Sequence, residues 1–341
     1  MVQNPYQNAL LPAPVGGGYS DPDYWIWCGS VVQGEDGAYH MFASRWPKDL
    51  GFGANWLFNC EIVRASSKNP EGPYTFQEVV LGRRGRTFFD GMNVHNPYIR
   101  KWNKTYYLYY MGTTFGGPIP GPGDEVDSSR FTEVWNRKRI GLATAPSVFG
   151  PWTRCDEPLI SPRDCSHWDC TATTNPAVAI QPDGTTYMLY KSRSFADGPL
   201  KIGVAKAPRP DGPFERILDD PIFNFEDPNI HLEDPYLWYE DGKFRLLIKD
   251  DFKNGGPGIS GIWGAGLYAE SADCIHWEFA ENPVSRHVTW SDGRQTDQAN
   301  CERPYFLLDE NNHPTHLFLA TGEGPAPYQF SRTWNMVIPL R

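Results

Sequence analysis

One phrase recurs along this chain, and the repetition limits the fold more than any other feature. Residues 233–250 read EDPYLWYEDGKFRLLIKD: a proline, an apolar run, an Asp-Gly turn and a second apolar run. That is the pattern of a β-hairpin. It returns as HNPYIRKWNKTYYLYYMG from His95, TNPAVAIQPDGTTYMLYKS from Thr174 and ERPYFLLDENNHPTHLFLAT from Glu302, with a degenerate copy, CGSVVQGEDGAYHMFASRW, from Cys28. A unit repeated at such intervals signals a solenoid or a propeller, because one hairpin cannot bury its apolar face alone. A second phrase follows the hairpins: EIVRASSKNPEGPYTF from Glu61, IGLATAPSVFGPWT from Ile140, IGVAKAPRPDGPFER from Ile202 and GLYAESADCIHWEF from Gly266. It reads as a third strand, a turn near Gly-Pro, and an aromatic that opens a fourth strand.

The last copy holds only a third strand, WNMVIPLR, whereas the opening segment NALLPAPV resembles the fourth strands of the other copies. The reading is therefore all-β, a five-bladed β-propeller occupying 1–341 as one unit. Its blades lie at about 20–88, 89–160, 161–225, 226–291 and 292–341, the last completed by 1–19. The N-terminal segment is expected to pair into that blade and close the ring, which removes two exposed sheet edges. A pair of β-sandwiches is the rival architecture, but it does not require five equivalent hairpins.

Composition agrees and narrows the partners. Aromatic residues make up 14%, and 33 Gly and 31 Pro punctuate many short strands. A net charge of -10 argues against a nucleic-acid backbone as partner. No run of about 18 apolar residues is present, so no membrane partner is expected. The start, MVQNPYQNALLPAPVGG, lacks a basic and apolar leader, which fits either a cytoplasmic protein or a mature secreted or periplasmic form. Seven cysteines, an odd number with no zinc-like pairing, favour neither a disulfide framework nor a structural metal.

In a propeller the first strand of each blade lines the axis, so the residues just before each repeat proline converge on one funnel. They are Cys28 and Gly29, His95 and Asn96, Thr174 and Asn175, Glu233 and Asp234, and Glu302 and Arg303. The set is polar and acidic where small apolar side chains would have filled a purely structural axis; capping of strand ends with bound water is the alternative. Seven residues before the repeat position stand Asp23, Asp90, Asp169 and Asp297, as either functional carboxylates or recurring turn caps. Arg45 and Trp46 leave the first hairpin, Lys191 and Arg193 the third, and Lys249 the fourth. Trp46, followed by the Gly-rich PKDLGFGANW, is expected to offer a flat face to sugar C–H groups, with Arg and Lys bridging hydroxyls.

These residues carry a resemblance to the five-bladed propeller glycosidases of glycoside hydrolase family 43, and more loosely to families 117, 32 and 130. The most specific match is LEDPYLWYEDGKFRLL from Leu232, similar to the family 43 fourth-blade motif whose Glu is the general acid; the resemblance implies that role for Glu233. The family also carries an aspartate before the first-blade proline as general base and another before the third-blade proline that tunes the acid. Here Gly29 and Asn175 occupy those positions. Asp23 is expected to supply the base from the preceding loop, Asp169 the tuning carboxylate, and Asp90 a contact to a substrate hydroxyl. The remaining substrate contacts are expected from Arg45, Trp46, His95, Asn96, Asn175, Lys191, Asp234, Lys249, Glu302 and Arg303. The resemblance implies metal-free, cofactor-free hydrolysis of an oligo- or polysaccharide, exo-acting and inverting, with a furanoside or pentoside as the small sugar released. The alternatives are a non-catalytic carbohydrate-binding propeller and a glycoside phosphorylase with a phosphate pocket built from Arg45, Lys191, Arg193 and Arg303.

Overall fold

The computed structural model describes residues 2–341 except 195–197, 226, 228, 253–255 and 257. Five four-stranded antiparallel sheets follow one another along the chain, joined by a small hairpin of His287–Thr289 and Gln295–Asp297. Their innermost strands are Tyr24–Gln33, Asn93–Trp102, Thr174–Ile180, Leu232–Glu240 and Glu302–Leu308, and each touches the next around a ring that returns from the fifth to the first. This is the five-bladed propeller that the repeat implies. The N-terminal closure is present as well. Tyr19–Ser20 forms the outer strand of the last blade, pairing Tyr19 with Asn335 and Ser20 with Trp334. The segment NALLPAPV runs further out, held by a bridge between Leu10 and Leu340 and another between Ala13 and Trp290.

Each innermost strand carries the same irregularity. Its pairing with the second strand slips between the two residues flanking the pre-proline site, at Trp27/Ser30, His95/Tyr98, Thr174/Ala177, Glu233/Tyr236 and Glu302/Tyr305. At each slip one non-glycine residue adopts left-handed backbone: Cys28 (φ 56°), Asn96 (55°), Asn175 (52°), Asp234 (55°) and Arg303 (54°). Such a conformation costs about 1–2 kcal/mol per residue, least for Asn and Asp, and strain of this kind persists where the surroundings fix it. The bulge turns five side chains inward at one level of the axis.

Below that level the axis is plugged. Tyr98, Tyr236 and Tyr305 converge from three blades, and the Arg100 guanidinium donates to all three hydroxyls and to the carbonyls of Val178 and Leu237. The funnel is therefore blind.

Candidate functional site

The five left-handed residues form a hydrogen-bonded belt around the funnel floor. The Cys28 thiol donates to Asn96 Oδ1 (3.1 Å), Asn96 Nδ2 to Asn175 Oδ1 (2.9 Å) and Asn175 Nδ2 to Asp234 Oδ1 (2.9 Å). Arg303 donates to that same Asp234 oxygen at 2.6 Å. One residue from every blade is thus locked to its neighbour.

Above the belt stand two glutamates and two lysines. Lys191 Nζ lies 2.6 Å from Glu233 Oε1, and Lys249 Nζ lies 3.8 Å from Glu233 Oε2 and 2.6 Å from Glu302 Oε1. Glu302 Oε1 also accepts from Asn300 Nδ2 (2.9 Å) and the Tyr328 hydroxyl (2.5 Å). Burial by itself pushes the Glu233 carboxyl up, but Lys191 and Lys249, with a further contribution from Lys138, outweigh it and hold Glu233 well below the usual carboxylate range. Asp251, 3.4 Å from Lys249, shifts the other way, raised by burial and by the neighbouring charges of Glu233 and Glu302. His95 is kept neutral, its pKa lowered first by burial and then by Arg303 and Lys138; its Nδ1 lies 3.0 Å from the Cys60 thiol.

The walls are aromatic and come mainly from insertions between the second and third strands of blades. The segment after Tyr39–Pro47 contributes Phe52 and Trp56, and the one before Arg332–Pro339 contributes Tyr328. The insertion before Arg139–Ala145 contains the helix Ser128–Asn136, capped by Asp127, whose side chain accepts from Arg130 N. That helix delivers Trp135, and Lys138 follows it. With Trp27 and Trp46 these groups enclose a cavity of about 190 Å³.

Comparison with known proteins adds the fold. No known family pattern matches the sequence, and no curated protein is similar to it. Solved structures do match over nearly the whole chain. A family 117 glycoside hydrolase from the marine bacterium Zobellia galactanivorans is 17% identical, with a TM-score of 0.63 over 97% of this chain and 89% of that one. A thermostable family 43 glycoside hydrolase is 14% identical (TM-score 0.60; 95% and 96% covered), and a Bacillus subtilis arabinanase 15% identical (0.55; 95% and 96%). The chain has the fold of these glycoside hydrolases.

Against that glycoside hydrolase fold the expected site residues divide into two groups. His95, Asn96, Asn175, Lys191, Glu233, Asp234, Glu302 and Arg303 all line the cavity, and Lys249 sits directly behind Glu233 and Glu302. Trp46 also lines it, but as a 1% exposed member of an aromatic cluster with Trp25, Trp27 and Phe52 rather than as an open platform. It belongs to the second strand itself, and Trp56 is the more exposed indole of the wall.

Four expectations are corrected. Asp23 lies exposed, outside the cavity, with its backbone tied to Asp21 and Lys48, because Cys28, not Gly29, holds the left-handed position of Asn96 in the first blade, which leaves Asp23 one residue out of register with Asp90 and Asp169. Asp169 is fully buried away from the funnel, bound by Arg163 (2.6 Å), Arg216 (2.6 Å) and the Tyr190 hydroxyl (2.9 Å). Asp90 repeats this brace one blade earlier with Arg84 (2.6 Å), Arg154 (3.4 Å) and Tyr110 (2.6 Å). Arg45 turns outward to Glu61 (2.9 Å), its guanidinium stacked on Tyr24 and Phe76. Asp90 and Asp169 thus tie the links entering the second and third blades to those blades, whereas Asp23 and Asp297 do not. The signal was present in the sequence, since Arg84 and Arg163 each stand six residues before their aspartate.

Sequence reasoning missed Phe52, Trp56, Trp135, Lys138 and Tyr328, which lie in segments without a counterpart in the other blades. Among the described residues, Glu240, Asp241 and His313 have metal-ligand spacing. They lie at the far end of the strand that begins beside Glu233, and Glu240 is already engaged by Arg245, Tyr6 and Trp238.

Proposed function

We propose that the funnel binds the end of a saccharide chain and hydrolyses its terminal glycosidic bond, releasing one small sugar. The carrying observation is the pair Glu233 and Glu302, two carboxylates on one wall of an aromatic-lined pocket. Glu233 is the proton donor to the leaving oxygen and Glu302, held close to it by the shared Lys249 Nζ (3.8 and 2.6 Å), the carboxylate that activates water. Chain-end attack follows from the blind floor and the small cavity, about 190 Å³ against the roughly 300–1,000 Å³ of sites for larger ligands.

A donor must carry a proton, and Glu233 is ionised while Lys191 and Lys249 contact it. A sugar that displaces Lys191 removes part of that opposition and leaves the upward push of burial, so the donor is armed by binding. Lys191→Met is therefore expected to raise the pKa of Glu233. The alkaline limb of kcat/KM should move to higher pH, because activity needs the protonated form and is lost as pH rises through that pKa. A shift of the acid limb instead would make Glu233 the base.

The direct test is sugar release in phosphate-free buffer from a panel headed by arabinofuranosides and xylosides, with the first-formed anomer read by NMR. Release without phosphate removes the phosphorylase reading. The cations proposed for that reading do not gather as a free set: Arg45 faces away, and Lys191 and Arg303 are matched to Glu233 and Asp234. One observation favours a binding-only propeller. The carboxylates lining the cavity, Glu233, Asp234 and Glu302, come from the last two blades, while the first three supply Cys28, Asn96 and Asn175 at the belt. Saturable saccharide binding without turnover on any linkage would select that reading.

A further inference from the structure

The charges facing the cavity match one another with one exception. Lys191 meets Glu233, Arg303 meets Asp234, and Lys249 behind them meets Glu302. Lys138 meets none. Its side chain is 2% exposed and lines the cavity, with Nζ 3.4 Å from the centre of the Trp135 ring and 5.7 Å from that of Trp56. Among the described residues no carboxylate or carbonyl lies within hydrogen-bond distance of that nitrogen.

The groups that act on Lys138 come from several blades. Lys191 and Arg193 approach from the third, Glu233 from the fourth, Arg303 from the fifth, and neutral His95 from its own. Arg193 stacks on the Trp135 ring at 3.8 Å and donates to Asn136 Oδ1. Burial first, then Lys191, Arg193 and Arg303, push the Lys138 ammonium well below the usual lysine range, with Glu233 opposing.

A buried ammonium without an anion is costly, and here it opens on a cavity whose Trp56 indole is suited to the apolar side of a sugar ring. We propose that Lys138 receives an acidic substituent of the bound saccharide, so that the pocket selects a sugar bearing a carboxylate or a sulfate ester. This rests on the saccharide reading above and narrows its substrate class. The anion would also draw a proton onto the amine, because an adjacent negative charge raises a lysine's pKa.

The test is calorimetric binding and does not depend on turnover, so its failure and a failure of the hydrolase reading are distinguishable. The probes are the methyl glycosides of galactose, glucose, galacturonic acid and glucuronic acid, galactose 6-sulfate, and inorganic phosphate alone, in two buffers of different protonation enthalpy. Acidic sugars are expected to bind about 10-fold to 100-fold more tightly than their neutral parents, the worth of one charge-assisted contact, and with proton uptake. Lys138→Met should abolish both the preference and the uptake, and Lys138→Arg should keep the preference. Preference for the uronates assigns the carboxylate, and preference for galactose 6-sulfate assigns the sulfate ester. Equal or tighter binding of neutral sugars, no binding of any acidic sugar, a preference that survives in Lys138→Met, or inorganic phosphate binding as tightly as the sugars would each overturn the proposal.

Discussion

Replacing Glu233 with glutamine is expected to lower kcat/KM by about 10²–10⁴-fold, the usual worth of a positioned proton donor. The amide has nearly the same shape and retains an oxygen for Lys191, so circular dichroism should report the native fold. Glu302→Gln should cause a loss of the same order, because its oxygen is held beside Glu233 by Lys249, Asn300 and Tyr328. Asp23→Asn is the informative control. The side chain is exposed and outside the cavity, so near-normal rates are expected, and a large loss there would return the role of base to Asp23 and remove it from Glu302.

Asp169→Ala should destabilise the protein by about 3–5 kcal/mol, the cost of removing one partner from a buried ion pair. Arg163 and Arg216, each 2.6 Å from the carboxylate, would be left without it. Urea unfolding measures the loss, and activity per folded molecule should stay near that of the wild type, because the residue braces a blade rather than tuning Glu233. Asp90→Ala should behave alike. The pH dependence has a fixed sign. Burial raises the Asp169 carboxyl, but Arg163, Arg216 and the Tyr190 hydroxyl lower it overall. The brace therefore contributes fully above the unfolded Asp value of about 3.9 and is lost as pH falls through the lower folded value. In the alanine variant that part of the acid sensitivity disappears.

How far the site was legible depended on whether its residues belonged to the repeat. Glu233, Asp234, Glu302, Arg303, Asn96 and Asn175 stand at two adjacent register positions before the repeat proline in successive copies. Naming those two positions named the belt and both glutamates. The aspartates seven residues earlier shared the same regularity and misled: period alone does not say whether a carboxylate faces a funnel or an arginine, and Arg154 and Arg216 reach Asp90 and Asp169 from fourth strands far along the chain. Trp56, Trp135, Lys138 and Tyr328 repeat nothing.

What the sequence by itself determined was the propeller, its closure by the N-terminal segment and the side chains around its axis, because strand alternation and the five copies are local, periodic properties of the chain. Tertiary structure alone decided which charges neutralise one another and which does not. Lys191 meets Glu233 across a blade boundary, Lys249 meets Glu302 across the next, and Lys138 is left facing the cavity. Those pairings depend on distances between blades, which residue spacing along the chain does not encode.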